Sequence, residues 1–224
     1  MFETFFGFKK EPFSQNPDPQ QLYESRNWTQ VRARIQFVVD HRGVGLITGE
    51  VGSGKSTAIR TILGTLNPNL YKLIYIHWTS GSALDLLRLV ARGLDLEPAH
   101  GRADLVHQIS EAIVRFNKAK KQHTILALDE SQLLSHQALE LLPLLLNFEM
   151  DSCQYLSLLL VGQPLLRRTL SLQIHESLRQ RVAVHYHLRL QRPSSPDHVC
   201  HRMLQAHRSN RHCRGLSGAT DHPR

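Results

Sequence analysis

Gly49-Glu50-Val51-Gly52-Ser53-Gly54-Lys55-Ser56 is the stretch whose reading decides the fold. It fills every position of G-x-x-x-x-G-K-[ST], a phosphate-binding loop. Gly49, Gly52 and Gly54 let the chain curl, so that successive backbone N–H groups converge on phosphate oxygens. Lys55 brings a flexible point charge to the β- and γ-phosphates, and the Ser56 hydroxyl is a ligand for Mg²⁺. Thr57 continues into a helix whose N-terminal dipole favours an anion. The flanks agree. Val44-Gly45-Leu46-Ile47-Thr48 is short and apolar, as a buried strand is, and Thr57 to Gly64 carries apolar residues at helical spacing. Gly64 or Asn67-Pro68 ends that helix. The set expected to hold ATP and Mg²⁺ is Gly49, Glu50, Val51, Gly52, Ser53, Gly54, Lys55, Ser56 and Thr57.

Outward from the loop, strands alternate with helices. Trp28 to His41 reads as a helix with Val31, Ile35, Val38 and Val39 on one buried face. Leu70 to Trp78 is a second strand. Ser82 to Gly93 is a helix with Leu84, Leu87, Val90 and Ala91 inward, and Asp104 to Lys118 a helix carrying Leu105, Ile109, Ile113 and Phe116. Thr124 to Glu130 is a nearly pure apolar strand that ends in two acids. His136 to Phe148 is a Leu-rich helix that Pro143 should kink or divide. Gln154 to Val161 is a fourth strand, closed by Gly162-Gln163-Pro164. Leu165 to Arg179 reads as two short helices, and Val182 to Leu188 as a fifth strand. Such alternation implies a mostly parallel sheet covered on both faces.

The bulk numbers narrow the class. The 224 residues suffice for one α/β domain with a small appendage, and 41% hydrophobic with 21% charged residues is a soluble composition. No apolar run reaches the roughly 18 residues that cross a membrane. The N-terminal residues lack the basic region and cleavage pattern of a signal peptide. Cys153, Cys200 and Cys213 make no disulfide framework, so the expected compartment is the cytoplasm. Of the net charge of +8, half comes from Arg192 onward, where six arginines face two aspartates. The body is only mildly basic, which weakens the case for a nucleic-acid surface. Cys200, His201, His207, His212 and Cys213 have no common zinc-finger spacing. His185 and His187 alternate on the fifth strand and read as structural.

Asp129-Glu130 is the second constellation. A carboxylate at this strand end reaches Mg²⁺ through its water shell, which suits Asp129, and Glu130 is placed to polarise an attacking water. Two acids closing a strand also occur as a solvated strand end. The phosphate loop about 70 residues upstream, in a β/α pattern, favours the chemical reading.

With these residues in view, the chain resembles AAA+ ATPases of the ExeA/GspA-like group, which includes relatives among transposition helpers of the TniB and TnsC kind. The resemblance is carried by Phe6-Gly7-Phe8, Glu11-Pro12-Phe13-Ser14, Pro17-Asp18-Pro19, Leu22-Tyr23, the loop itself, Leu128-Asp129-Glu130-Ser131-Gln132, Leu160-Val161-Gly162-Gln163-Pro164 and Leu178-Arg179-Gln180-Arg181-Val182. It implies a three-layer α/β/α P-loop fold, an AAA+ core with a parallel five-stranded sheet ordered 5-1-4-3-2. It also implies three domains: an N-terminal arm (1–27), the ATPase core (28–190), and a basic His/Arg-rich tail or lid remnant (191–224).

The resemblance further implies that Gln163 is a polar sensor of the γ-phosphate or the lytic water, with a plain turn residue as the alternative. Arg181, or else Arg179, is an arginine finger acting on a neighbouring subunit, with an ordinary surface arginine as the alternative for either. Pro19, Leu22 and Tyr23 either contact the adenine or pack the arm. The group often has Asn at the position of His77, where it restrains the catalytic glutamate until a partner binds; His77 could still hydrogen-bond Glu130, though the departure puts that regulation in doubt. Ser194 to Val199 looks like the start of a lid helix, after which the group's pattern stops, so the lid is expected to be truncated.

The expected activity is hydrolysis of ATP to ADP and phosphate, in a homo-oligomeric switch. The first setting is a DNA-transposition helper with non-specific DNA and a transposase as partners. The second is a secretion or envelope-assembly ATPase; relatives of that kind continue into a membrane segment that this sequence does not show. The third is a truncated nucleotide-binding module without turnover.

Overall fold

Three strands with no polar face form the centre of the sheet. The computed structural model describes residues 26–78, 81–148 and 153–189. The adenine-contact expectation at Pro19, Leu22 and Tyr23, and the tail with its lid and zinc readings, lie outside them. In order come α1 (Arg26–Asp40), β1 (Val44–Gly49), α2 (Lys55–Gly64), β2 (Tyr71–His77), α3 (Ala83–Gly93) and α4 (Arg102–Lys120). They are followed by β3 (His123–Asp129), α5 (His136–Leu146), β4 (Leu156–Gly162), α6 (Pro164–Leu170), α7 (Glu176–Gln180) and β5 (Val182–Leu188). All neighbouring strands pair in parallel, in the order β2-β3-β4-β1-β5. This is the expected order, read from the other edge.

Every residue of β1, β3 and β4 is buried, whereas the edge strands β2 and β5 are covered only in part. Because side chains alternate along a strand, each central strand feeds two cores. Leu126, Leu128, Leu158 and Leu160 pack with α3 to α7 on one face. Ile125, Ala127, Leu159 and Val161 pack with Val31, Ile35, Val38 and Val39 of α1 and Ile59, Ile62 and Leu63 of α2 on the other. The result is a three-layer α/β/α domain. Gly45 lets α1 approach, since a Cβ there would sit 2.9 Å from Val38 Cγ2 and 3.0 Å from Leu159 Cδ2.

Caps account for the helix starts. Ser82 accepts from the Asp85 amide at 3.2 Å and its own amide donates to Asp85 at 2.9 Å, a capping box for α3. Ser135 caps α5 in the simpler way, accepting from Ala138 N. One expectation needs correction, and one of two alternatives drops out. Leu84 is only half-buried, and Leu86 takes its place on the inward face of α3. Pro143 does not divide α5, which runs unbroken from His136 to Leu146. A proline forfeits one backbone hydrogen bond. Here five buried leucines, Leu139, Leu141, Leu142, Leu145 and Leu146, hold the segment against the core. Among the described residues no helix is long and apolar enough to cross a membrane.

One buried polar contact ties β3 to β4 and α1. The Ser157 hydroxyl donates to the Val38 carbonyl at 3.1 Å, so its lone pair accepts from His123 Nε2 at 2.7 Å. That fixes the proton on Nε2, and Nδ1 is buried without a partner. Burial, and then the nearby Arg42 charge, push the His123 imidazole down to about 4. The unfolded histidine takes up a proton near 6.5, so its contribution is complete above that pH and is lost as pH falls through 4. The shift corresponds to roughly 3 kcal/mol. The urea midpoint should therefore fall between pH 6.5 and 4, and His123→Gln, which keeps the donor to Ser157, should flatten that fall. An unchanged fall in the variant would assign it to other groups.

Candidate functional site

The three central strands end at one edge of the sheet, and their ends carry the chemistry. After Gly49 the chain turns through Gly52 (φ 77°) and Gly54 (φ 81°), left-handed conformations that favour glycine, and Gly54 opens α2. Gly49 is needed for space, because a Cβ there would meet Leu188 O and Ser53 Oγ, each at 2.8 Å. No side chain caps the N-terminus of α2. The first-turn N–H groups have no partner inside their own helix. Ser53 Oγ is buried without a hydrogen-bond partner. Lys55 is 6% exposed and its Nζ donates to the Glu50 carbonyl at 3.0 Å. This set of donors fits a polyphosphate, and Ser56, with Asp129 acting through water, could hold a Mg²⁺.

Asp129 closes β3 and is 1% exposed. Its Oδ1 accepts from the Glu130 amide at 2.9 Å and its Oδ2 from the Tyr75 hydroxyl at 2.6 Å. His77 Nδ1 lies 3.7 Å from the same Oδ2. The hydrogen bond that His77 could have made to Glu130 is not found; the in-register pairing His77↔Asp129 brings it to the aspartate instead. Burial, then the hydrogen bond to Asp129, raise the Tyr75 phenol well above its ordinary range, so it stays a donor.

Glu130 follows with φ 55°, a left-handed conformation that costs a non-glycine residue about 1–3 kcal/mol. Gln132 Nε2 donates to Glu130 Oε2 at 2.6 Å, and Gln132 Oε1 accepts from the Gln163 amide at 3.0 Å. Gln163 directly follows β4 and is the N-cap of α6. The loop, Asp129, Glu130 and Gln163 are thus brought to one edge.

Arg181 is not among them. It precedes β5, whose Val182 pairs with Val44 at the start of β1, the opposite end of the sheet. At strand rise the six residues of β1 put the two ends on the order of 20 Å apart. Arg181 Nη2 donates to Asn147 Oδ1 at 2.7 Å, and Arg179 Nη2 lies 3.5 Å from Glu176 Oε1. Neither arginine faces its own loop. His187 Nδ1 and His185 Nε2 flank Thr48 Oγ1 at 3.2 and 3.5 Å. Among the described residues no group of three or more His, Cys, Asp or Glu could hold a metal alone.

Tyr75 was not singled out from sequence; the signal was a polar side chain two positions before His77 on a strand that flanks the acid-bearing one. Gln132 stood inside the quoted motif without a role.

The profile of the family described as AAA domain matches residues 39–170, more than half of the chain. The chain belongs to the AAA domain family. Within the wider circle of AAA proteins it is similar to general secretion pathway protein A of Aeromonas hydrophila, with 34% identity over 191 residues. The match covers 84% of this chain and 35% of that protein, so the chain spans about a third of the relative's length. Among solved structures, Cdc6p from Pyrobaculum aerophilum superposes with a TM-score of 0.61 at 15% identity, over 91% of this chain and 53% of that one. The ADP form of ORC2 from Aeropyrum pernix gives 0.59 at 17%, over 88% and 57%. At these identities the likeness establishes a shared P-loop NTPase fold. The sequence relative supports the ExeA/GspA side of the resemblance.

Tyr75→Phe removes the donor on Asp129 Oδ2 and leaves a buried carboxylate oxygen short of a partner, a loss of about 1–3 kcal/mol. The urea midpoint should drop, and the gain in nucleotide affinity on adding Mg²⁺ should shrink. Unchanged values of both would show that Asp129 is held by its other contacts.

Proposed function

We propose that this AAA domain hydrolyses ATP to ADP and phosphate and acts as an oligomeric switch of the secretion or envelope-assembly kind. The observation that carries the hydrolytic part is the meeting of the Lys55 loop, Asp129 and Glu130 at one sheet edge. In this reading the loop amides and Lys55 bind the phosphates, and Ser56, with Asp129 through water, would hold a Mg²⁺ that would neutralise phosphate charge. Glu130 accepts a proton from the attacking water as its oxygen bonds to the γ-phosphorus and the bond to the ADP oxygen breaks. Gln163 orients the γ-phosphate or that water. Positioning and electrostatics supply the catalysis, so turnover serves to change conformation.

The requirement for ATP puts the domain in the cytoplasm. Arg181, or else Arg179, acts across a subunit boundary, since both lie far from their own loop. The secretion setting rests on the Aeromonas relative. The transposition-helper setting, with a transposase and non-specific DNA as partners, draws no support from that relative, and the mildly basic body supplies little phosphate neutralisation.

Lys55→Ala should abolish ATP binding in calorimetry, because phosphate charge is left unneutralised at the loop. Glu130→Gln should retain binding and lose turnover by roughly 10²-fold or more, the scale of a lost general base. Equal turnover in Glu130→Gln and wild type would remove Glu130 from the water-activating role.

The setting has its own test. Arg181→Ala should lower turnover only at concentrations where subunits associate, and mixing it with Lys55→Ala protein should restore part of it. Duplex DNA should leave turnover unaltered. ATP-dependent, salt-sensitive tightening on duplex DNA would instead favour the transposition setting.

A further inference from the structure

The side chain of Gln132 bridges two groups that the proposed hydrolysis uses separately. Its Nε2 donates to Glu130 Oε2 at 2.6 Å and its Oε1 accepts from the Gln163 backbone amide at 3.0 Å. The two partners fix the orientation of the amide. Reversed, it would set an oxygen against the carboxylate and an N–H against an N–H.

The surroundings keep the bridge in place. Ser131 is fully buried, and its hydroxyl donates to the Leu128 carbonyl at 2.7 Å. Leu133 N donates to the Glu130 carbonyl at 2.9 Å, closing the short 3₁₀ turn from Ser131 to Leu133. Gly162, the last residue of β4, leaves the necessary room. A Cβ there would stand 2.5 Å from Gln132 Oε1 and 3.3 Å from Gln132 N. The left-handed Glu130 backbone and the side-chain-free Gly162 thus serve the same contact from two strands.

We propose that Gln132 is a positioning residue that locks the Glu130 carboxylate to the backbone of the β4–α6 turn, so that Glu130 and Gln163 move as one unit. This rests on Glu130 being the water-activating base. The bridge occupies Oε2 and leaves Oε1 as the oxygen that meets a water. It also makes any displacement of the turn at Gln163 a displacement of the base. A γ-phosphate arriving at Gln163 is then felt at Glu130 through one side-chain amide, with no rearrangement of the strands.

The test combines kinetics with a double-mutant cycle. Gln132→Met keeps the length of the side chain and removes both hydrogen bonds. It should lower kcat about 10-fold, part of the roughly 10²-fold that misplacing a catalytic group costs, with KM for ATP within about 2-fold of wild type. Gln132→Glu keeps the acceptor for Gln163 but sets a second carboxylate against Glu130, and should lower kcat further. A purely structural side chain would not separate kcat from KM, nor rank Glu below Met.

The direct readout is the Gln163 backbone amide in ¹H–¹⁵N spectra. Glu130→Gln should shift it in the otherwise native chain and leave it in place when introduced into Gln132→Met. A Gln163 amide that ignores Glu130→Gln, or that responds equally in both backgrounds, overturns the bridge. So does a native kcat in Gln132→Met while Glu130→Gln is impaired. Native turnover in Glu130→Gln itself defeats instead the assignment of Glu130 as base.

Discussion

Backbone hydrogen bonds between β3, β4 and β1 hold three strand ends in one row, and everything chemical in this domain depends on that register. Thr48 pairs with Gly162 and Leu128 with Leu160. Gly49 and Gln163 therefore emerge side by side, and Asp129, level with Val161, closes β3 two positions earlier. Because these strands are buried on both faces, polar groups along them need partners there, as His123 and Ser157 have, and the acids and the loop collect where the strands stop. Gly45 contributes from below, letting α1 lie against β1 close enough for Val38 to touch its backbone.

The polar groups at this edge are already oriented by neutral partners. Lys55 is held by the Glu50 carbonyl, Asp129 by the Tyr75 hydroxyl and the Glu130 amide, and Glu130 by the Gln132 amide. Charged groups buried to this degree are costly unless hydrogen-bonded. Replacing the Glu50 carbonyl with phosphate oxygens would exchange a neutral acceptor for a charged one, which makes a stronger bond. The arrangement stores a site whose parts change partner on binding and need no refolding.

The sheet also separates the loop from Arg181. The loop lies at the C-terminal end of β1, and Arg181 lies beside its N-terminal end. The length of β1 keeps this arginine from its own loop, so any role it has in hydrolysis belongs to an assembly.

By itself the sequence determined the layered β/α architecture, the loop and the acid pair. Those features are written in contiguous residues: apolar runs bounded by polar ends, and a glycine pattern whose geometry is local. Of the two outcomes that Pro143 allowed, division of the helix does not occur, because burial of the leucines around it outweighs one missing hydrogen bond. Leu84 and Leu86 exchanged places because the helical stripe alone cannot tell which of two leucines two positions apart faces the sheet. What only the tertiary structure decided is which polar side chains meet across strands. His77 turned to Asp129 instead of Glu130, Tyr75 became the donor to that acid, and Gln132 joined Glu130 to Gln163. These contacts link residues 31 to 54 positions apart or cross a backbone bend at Glu130. They are set by the parallel register of neighbouring strands, which no local pattern encodes.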